Sequence, residues 1–439
     1  MIRIIFVLAC FGFVLTLGGC TNSRVWKGPI VEPLRDGGGV VESGMYRGMP
    51  YVMASVNGSE PMKFLFDTGA SFDLVTPKAA KELGLRAIGA ARVEGASGLT
   101  KSLPFALADR VEFGPVAIED MVFVIRDLAA VSPYFSEDIA GLIGITGLEE
   151  FTIDIDYPRR VVSITQERLS LDDPGTSVMY TLADGLLMVP VSFTDPEEPG
   201  SSRVVWSLLD SGNDRMYDLH TDEAKLFLDQ SKLTGGHGAK GIHGIGRLHD
   251  AGPMRMGLQI GHTQLEGMAA AVSDVESRLD STSLRNFHVK IDMKSKLVSF
   301  TRTDNAQRLV STNRMGITNL WVYDGHRIDQ TIGGSAAHLL GIRAFDEVML
   351  IDGVEPNGLH VKTAYWAAGA EATTITLRIR RVVDDGWVDV VLPIDGSVEG
   401  IEERDAINLK SQKIEAELTG EDGDVIHVEM TPVESMDEH

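Results

Sequence analysis

Between residue 40 and about residue 301 the chain runs as short apolar stretches broken by Gly, Pro and Asp, with little helical period. Such a pattern predicts β-strands joined by turns, a mostly-β fold. Two short helices are expected within it, each opened by a Thr suited to the N-cap. One is VTPKAAKEL, with Pro77 in the first helical position; the other is LHTDEAKLFL, with Asp222 there. Elsewhere the pattern changes. Residues 4–17 form an apolar stretch too short for a standard transmembrane helix. Residues 20–39 carry Pro29, Pro33 and Gly37 to Gly39 without periodicity and predict a tether. After Thr301 the register of the runs shifts, and residues 397–439 are acid-rich, with one alternating run, DVIHVEM at 424–430, suited to a strand.

The β region contains an echo of itself. FDLVTPKAAKEL (72–83) returns as YDLHTDEAKLFL (217–228), and EFGPVAIEDM (112–121) lines up without gaps on QIGHTQLEGM (259–268). FTIDIDYPRRVVSIT (151–165) lines up in the same way on FHVKIDMKSKLVSFT (287–301). Three matches in one order predict two related lobes, residues 40–170 and 176–303.

Composition narrows the setting. At 439 residues the chain exceeds one ordinary domain, and 44% hydrophobic with 23% charged residues is a globular balance. A formal net charge of −23 argues against nucleic acid as a partner, since phosphate binding needs Lys and Arg patches. The only cysteines are Cys10 and Cys20. Arg3 followed by the apolar stretch and Leu17-Gly18-Gly19-Cys20 resembles a bacterial lipoprotein signal peptide, residues 1–19, with Cys20 as the lipidated residue. The alternative is an ordinary signal peptide with an incidental cysteine. The resemblance implies an anchor whose lipid chains hold the polypeptide outside the bilayer. Thr21 rather than Asp after the cysteine favours the outer membrane, facing the periplasm.

The candidate chemistry lies in FLFDTGASFDLV (64–75) and VVWSLLDSGND (204–214), where Asp67-Thr68-Gly69 and Asp210-Ser211-Gly212 each follow an apolar run. Either triplet alone is a common turn sequence, with Asp bonding its own backbone. The apolar run before each, the matched helix after each and the repeat register set them apart. Together with GLIG (141–144) before GLEEFTIDIDYPRR, these motifs resemble the bacterial retropepsin-like aspartic peptidases, closely in the first lobe and more loosely in the second. The resemblance implies bilobal pepsin/retropepsin-like barrels and a catalytic pair of Asp67 and Asp210, one from each lobe, so that a monomer suffices. Two carboxyls in contact share one proton and activate a water on a peptide bond. Thr68, Gly69, Ser211 and Gly212 are the implied supports, the hydroxyls crossing to the opposite loop and the glycines allowing tight turns. Gly-rich hairpins often cover such sites. VEGASGLT (93–100), with Ser97 and Gly98, and GGHGAKGIHGIG (235–246), with Gly241 and Gly244, are the candidate flaps. The second contains His237 and His243, but no Cys or HExxH accompanies them, so no metal or other cofactor is expected. The second lobe departs from the pattern in having Ser277-Arg278-Leu279-Asp280 opposite GLIG, and Asn213 and Asp214 opposite Ala70 and Ser71.

Residues 304–396 resemble a bacterial PDZ domain, an α+β fold. The matching pieces are Met315-Gly316-Ile317 as the peptide-carboxylate loop, Gly334-Ser335-Ala336-Ala337 opening a helix, VMLIDG, and TTITLRIRR and WVDVVLPI as closing strands. Phe345 stands where that family has Gly. Such a domain adds a peptide to a sheet edge. The first expectation is therefore a lipid-anchored aspartic endopeptidase whose PDZ domain selects peptide or protein substrates. The second is a peptide-binding envelope adaptor on a degenerate peptidase-like lobe pair. Glycoside hydrolysis by the two acids lacks a sugar-stacking aromatic cluster.

Overall fold

The structure is a computed structural model. It describes residues 29–34, 36–46, 48–94, 100–128, 138–170, 177–195, 200–213, 217–235, 240–241, 244–245, 250–265, 269–284, 287–302, 320–322, 326–328, 331, 335–343, 346–355, 374–381, 386–393, 414–419 and 425–430. Strand dominates throughout, as the short apolar runs predict.

The first lobe is a nine-stranded sheet that begins inside the segment expected to be a tether: Ile30–Pro33 pairs antiparallel with Val116–Ile125, and Gly38–Val41 pairs with Val161–Thr165 in a second sheet. The central path of the nine-stranded sheet runs Val116–Ile125, Asp73–Val75, Ile139–Ile143, Met62–Phe66, Met49–Val56, Thr100–Phe113. The second lobe, in a ten-stranded sheet, runs Ala269–Ser273, Tyr217–His220, Arg278–Asp280, Ser202–Asp210, Leu186–Thr194, Gly257–Ile260 in the same order. Val52, Phe64, Phe66 and Phe123 of the first and Leu187, Phe193, Leu209 and Tyr217 of the second belong to one continuous buried core.

A six-stranded sheet joins the lobes. Hairpin Thr152–Asp156/Val161–Thr165 from the first meets hairpin Phe287–Asp292/Leu297–Arg302 from the second, with Thr152–Asp156 antiparallel to Phe287–Asp292. Asp154 faces Lys290, its own counterpart in the repeat. Thr152 faces Asp292 while Asp156 faces His288, so the outer pairs exchange under the same correspondence. The seam has the geometry of a two-fold contact written within one chain.

The first short helix, Pro77–Glu82, begins as expected: Thr76 caps it by accepting from Ala79 N, and Pro77 opens it. The second differs. It spans Thr221–Phe227, and its cap is His220, whose ring Nδ1 accepts from Asp222 N at 3.3 Å. Thr221 was the expected cap, but its hydroxyl donates instead to Ser273 O on the neighbouring strand, at 3.2 Å.

Toward the C-terminus a five-stranded sheet includes Glu347–Ile351, Thr374–Arg380 and Trp387–Pro393. With helix Ala336–Leu339, capped by Ser335, it has a core of its own around Ile328, Val348, Ile379 and Val390. Separate cores are the physical mark of separate folding units. Within the acid-rich tail, Val425–Met430 is a strand, as its alternation suggests, and it pairs antiparallel with Ile414–Thr419.

Candidate active site

Each acid stands at the end of a central strand. Met62–Phe66 delivers Asp67, whose backbone N donates to Ile143 O at 2.9 Å; Ser202–Asp210 ends on Asp210. After each acid the chain turns at once, with Gly69 N donating to Asp67 Oδ1 at 2.8 Å and Gly212 N to Asp210 Oδ1 at 3.1 Å. The two turns face each other so closely that a Cβ on Gly212 would stand 2.2 Å from Asp67 Cγ, and one on Gly69 2.6 Å from Asp210 Cγ. Only a residue without a side chain fits either place.

Four hydrogen bonds cross between the loops. Thr68 Oγ1 donates to Leu209 O at 2.6 Å and accepts from Ser211 N at 3.0 Å. Ser211 Oγ donates to Phe66 O at 2.9 Å and accepts from Thr68 N at 3.0 Å. Both residues are buried, so these bonds work free of competing water. A side-chain hydrogen bond joins the two carboxyls themselves. Residues 52–146 match the aspartyl protease family model. That stretch is an aspartyl protease-like domain within a mostly-β fold of the same kind; it contains Asp67 and GLIG and ends before the second lobe. No curated protein matches the chain.

The two acids are not equivalent. Burial first, then the negative charge of Asp210, holds the Asp67 carboxyl well above the ordinary carboxylate range. Burial raises Asp210 as well, but the Arg278 guanidinium and the bond from Asp67 pull against it. Both carboxyls are thus raised, Asp210 against the opposing pull of Arg278, so the pair holds one proton in common.

The supports beneath the acids differ between lobes. Gly141 lets Leu74 O approach to where a Cβ would stand only 2.0 Å away, and Gly144 N donates to buried Asp73 Oδ1 at 2.9 Å. Burial pushes that Asp73 carboxyl up to about 7, against the pull of the Gly144 N–H. In the second lobe, Arg278 pairs with Leu208 and Asp280 with Asp210, as Leu142 pairs with Leu65 in the first. Ser277-Arg278-Leu279-Asp280 thus occupies the GLIG position, as the gapless alignment expects. The strand beside it has slipped by one residue: Leu142 faces Leu74, whereas Arg278 faces Asp218, one place before the echo of Leu74. Ser277 and Asp280 carry side chains where the first lobe has glycines, so the first lobe's close approach is not available here.

Gly241 and Gly244 lie in a two-stranded antiparallel pair, Lys240–Gly241 with Gly244–Ile245. Ala87–Glu94 pairs antiparallel with Thr100–Phe113 on either side of the first candidate flap, whose Ser97 and Gly98 lie outside the described residues. Cys20, Asp214, His237, His243, Met315, Gly316, Ile317, Gly334 and Phe345 also lie outside them. Among the described residues no group of three or more His, Cys, Asp or Glu is arranged to hold a metal.

Proposed function

We propose that the protein is an aspartic endopeptidase using Asp67 and Asp210 as one catalytic pair. The observation that carries this reading is the joined dyad: two carboxyls from different lobes in a shared hydrogen bond, held by the reciprocal Thr68–Ser211 crossing. The aspartyl protease-like domain over 52–146 supports a peptidase and hydrolase function at the coarser level. Asp210, ionised, takes a proton from water as the water oxygen attacks the peptide carbonyl carbon. Asp67 gives its proton to the carbonyl oxygen, forming a tetrahedral diol. Collapse of the diol breaks the C–N bond: the leaving nitrogen takes the proton from Asp210, and Asp67 takes one from a diol hydroxyl as the product carboxyl forms, which restores the pair with one proton.

Cys20 anchors the chain as an outer-membrane lipoprotein in the periplasm in this reading, on the strength of the signal-peptide and LGGC pattern. The C-terminal unit, with its own core, supplies PDZ-like peptide selection. Asp67→Asn and Asp210→Asn are each expected to cut cleavage of a peptide library by about 10³-fold or more, with circular dichroism unchanged. Undiminished cleavage in either variant overturns the pairing. Peptide binding without cleavage in the wild type between acid and neutral pH would leave the adaptor reading.

A further inference from the structure

The layer directly under the two acids is built from different chemistry in each lobe. In the first, Leu65, Leu142 and Leu74 lie side by side across three strands and share a small apolar cluster with Met49, Leu128 and Ile139. In the second, the same three places hold Leu208, Arg278 and Asp218. Side chains two residues apart on a strand share a face, so Asp210 and Asp280 stand on the same side as Arg278. Arg278 is 1% exposed, and its Nε and Nη2 both lie 3.1 Å from Glu276 Oε1. Asp218 and Asp280 are fully buried.

Burying a guanidinium among carboxylates costs desolvation that three leucines would not incur, and the first lobe shows that an apolar layer holds this architecture. Such an ion cluster on the strand beside a catalytic acid points to tuning rather than packing. We propose that Arg278 is a positioning residue that settles the negative charge of the pair on Asp210 and leaves the proton on Asp67, so that the second lobe always supplies the base. The chemical consequence rests on the peptidase reading above; the charge placement does not.

The charges around Arg278 come from every neighbouring element. Asp210 ends one flanking strand, and Asp218, with the Tyr217 hydroxyl, lies on the other. Glu276 and Asp280 belong to its own segment; beyond these, Glu223 on the following helix acts on Tyr217, and Asp67 on the opposite lobe acts on Asp210. Burial pulls the guanidinium down, yet Glu276, Asp210, Asp218 and Asp280 together keep it charged. Its attraction for Asp210 opposes the burial that raises that acid.

Two readouts on the full chain test this. The first is the pH profile of kcat/KM on a quenched peptide. Arg278→Met is expected to move the acid limb upward by about one pH unit or more, and Arg278→Lys to restore most of it. Since Arg278→Met strands Asp218 and Asp280, a triple variant, Arg278→Leu with Asp218→Leu and Asp280→Gly, rebuilds the apolar layer of the first lobe and is expected to shift the limb in the same direction. The second is a carboxyl-carbon NMR titration of Asp-labelled protein, with the two acids assigned from Asp67→Asn and Asp210→Asn. Asp210 is expected to lose its proton first in the wild type, and the order to collapse in the folded variants without Arg278. An acid limb and titration order unchanged in those variants overturn the proposal, as does Asp67 ionising first in the wild type. If no peptide is cleaved, the peptidase reading fails while the titration still decides the role of Arg278.

Discussion

A single hydroxyl can tie two loops together because it donates one hydrogen bond and accepts another, and Thr68 uses both capacities across the lobe boundary. Replacing it with the isosteric valine would leave Leu209 C=O and Ser211 N–H buried without their partner. Thr68→Val is therefore expected to lose about 2–4 kcal/mol in chemical denaturation, while Thr68→Ser stays within about 1 kcal/mol of wild type. The acids and their hydroxyl neighbours were readable from the sequence, since an acid closing an apolar run is conspicuous and the repeat register pointed from Asp67 to Asp210. The role of Arg278 was not. In the sequence it appears only as a departure from GLIG, the loss of glycines. Its meaning comes from Asp218 and Asp210, far earlier in the chain, which only strand pairing brings to one face.

Elements show why local pattern reading stops short. The strand order was implied by the repeat, but the one-residue slip of Tyr217–His220 was not, because register is set by what faces it. Ser277 and Asp280 remove the close approach available to Gly141 and Gly144, and the helix that follows is capped by His220 rather than Thr221. In the unslipped lobe, Asp73 fastens the end of Ile139–Ile143 through Gly144 N. Its carboxyl is raised from 3.8 to about 7 in the folded protein, so the folded state holds a proton that the unfolded chain releases earlier. Stability from this group is full below about pH 4 and is lost as pH rises toward 7. Asp73→Asn keeps the acceptor without the titration. It is expected to be more stable than wild type at pH 8, by about 1.4 kcal/mol for each tenfold by which folding tightens proton binding at Asp73. Thermal melts at pH 8 and pH 4 check this, the difference vanishing near pH 4.

For the whole molecule, the dyad takes one acid from each lobe, and the lobes meet through strand pairing that needs no connecting chain. Two fragments, 29–170 and 177–302, co-expressed without a link, are expected to co-elute as a one-to-one complex that cleaves peptide, while neither fragment cleaves alone. Active single fragments or a complex without activity would contradict this division of labour. The six-stranded seam also decides which partner each fragment takes. Were the strand Thr152–Asp156 to meet a second copy of itself in this register, Asp154 would face Asp154; for Phe287–Asp292, Lys290 would face Lys290. Like charges directly opposite repel. Here Lys290 Nζ lies 3.5 Å from Asp154 Oδ2, and the His288 ring also reaches that carboxylate. At the one position where a symmetric pair must confront its own image, the chain has written opposite signs, so each half rejects its twin and accepts its sibling.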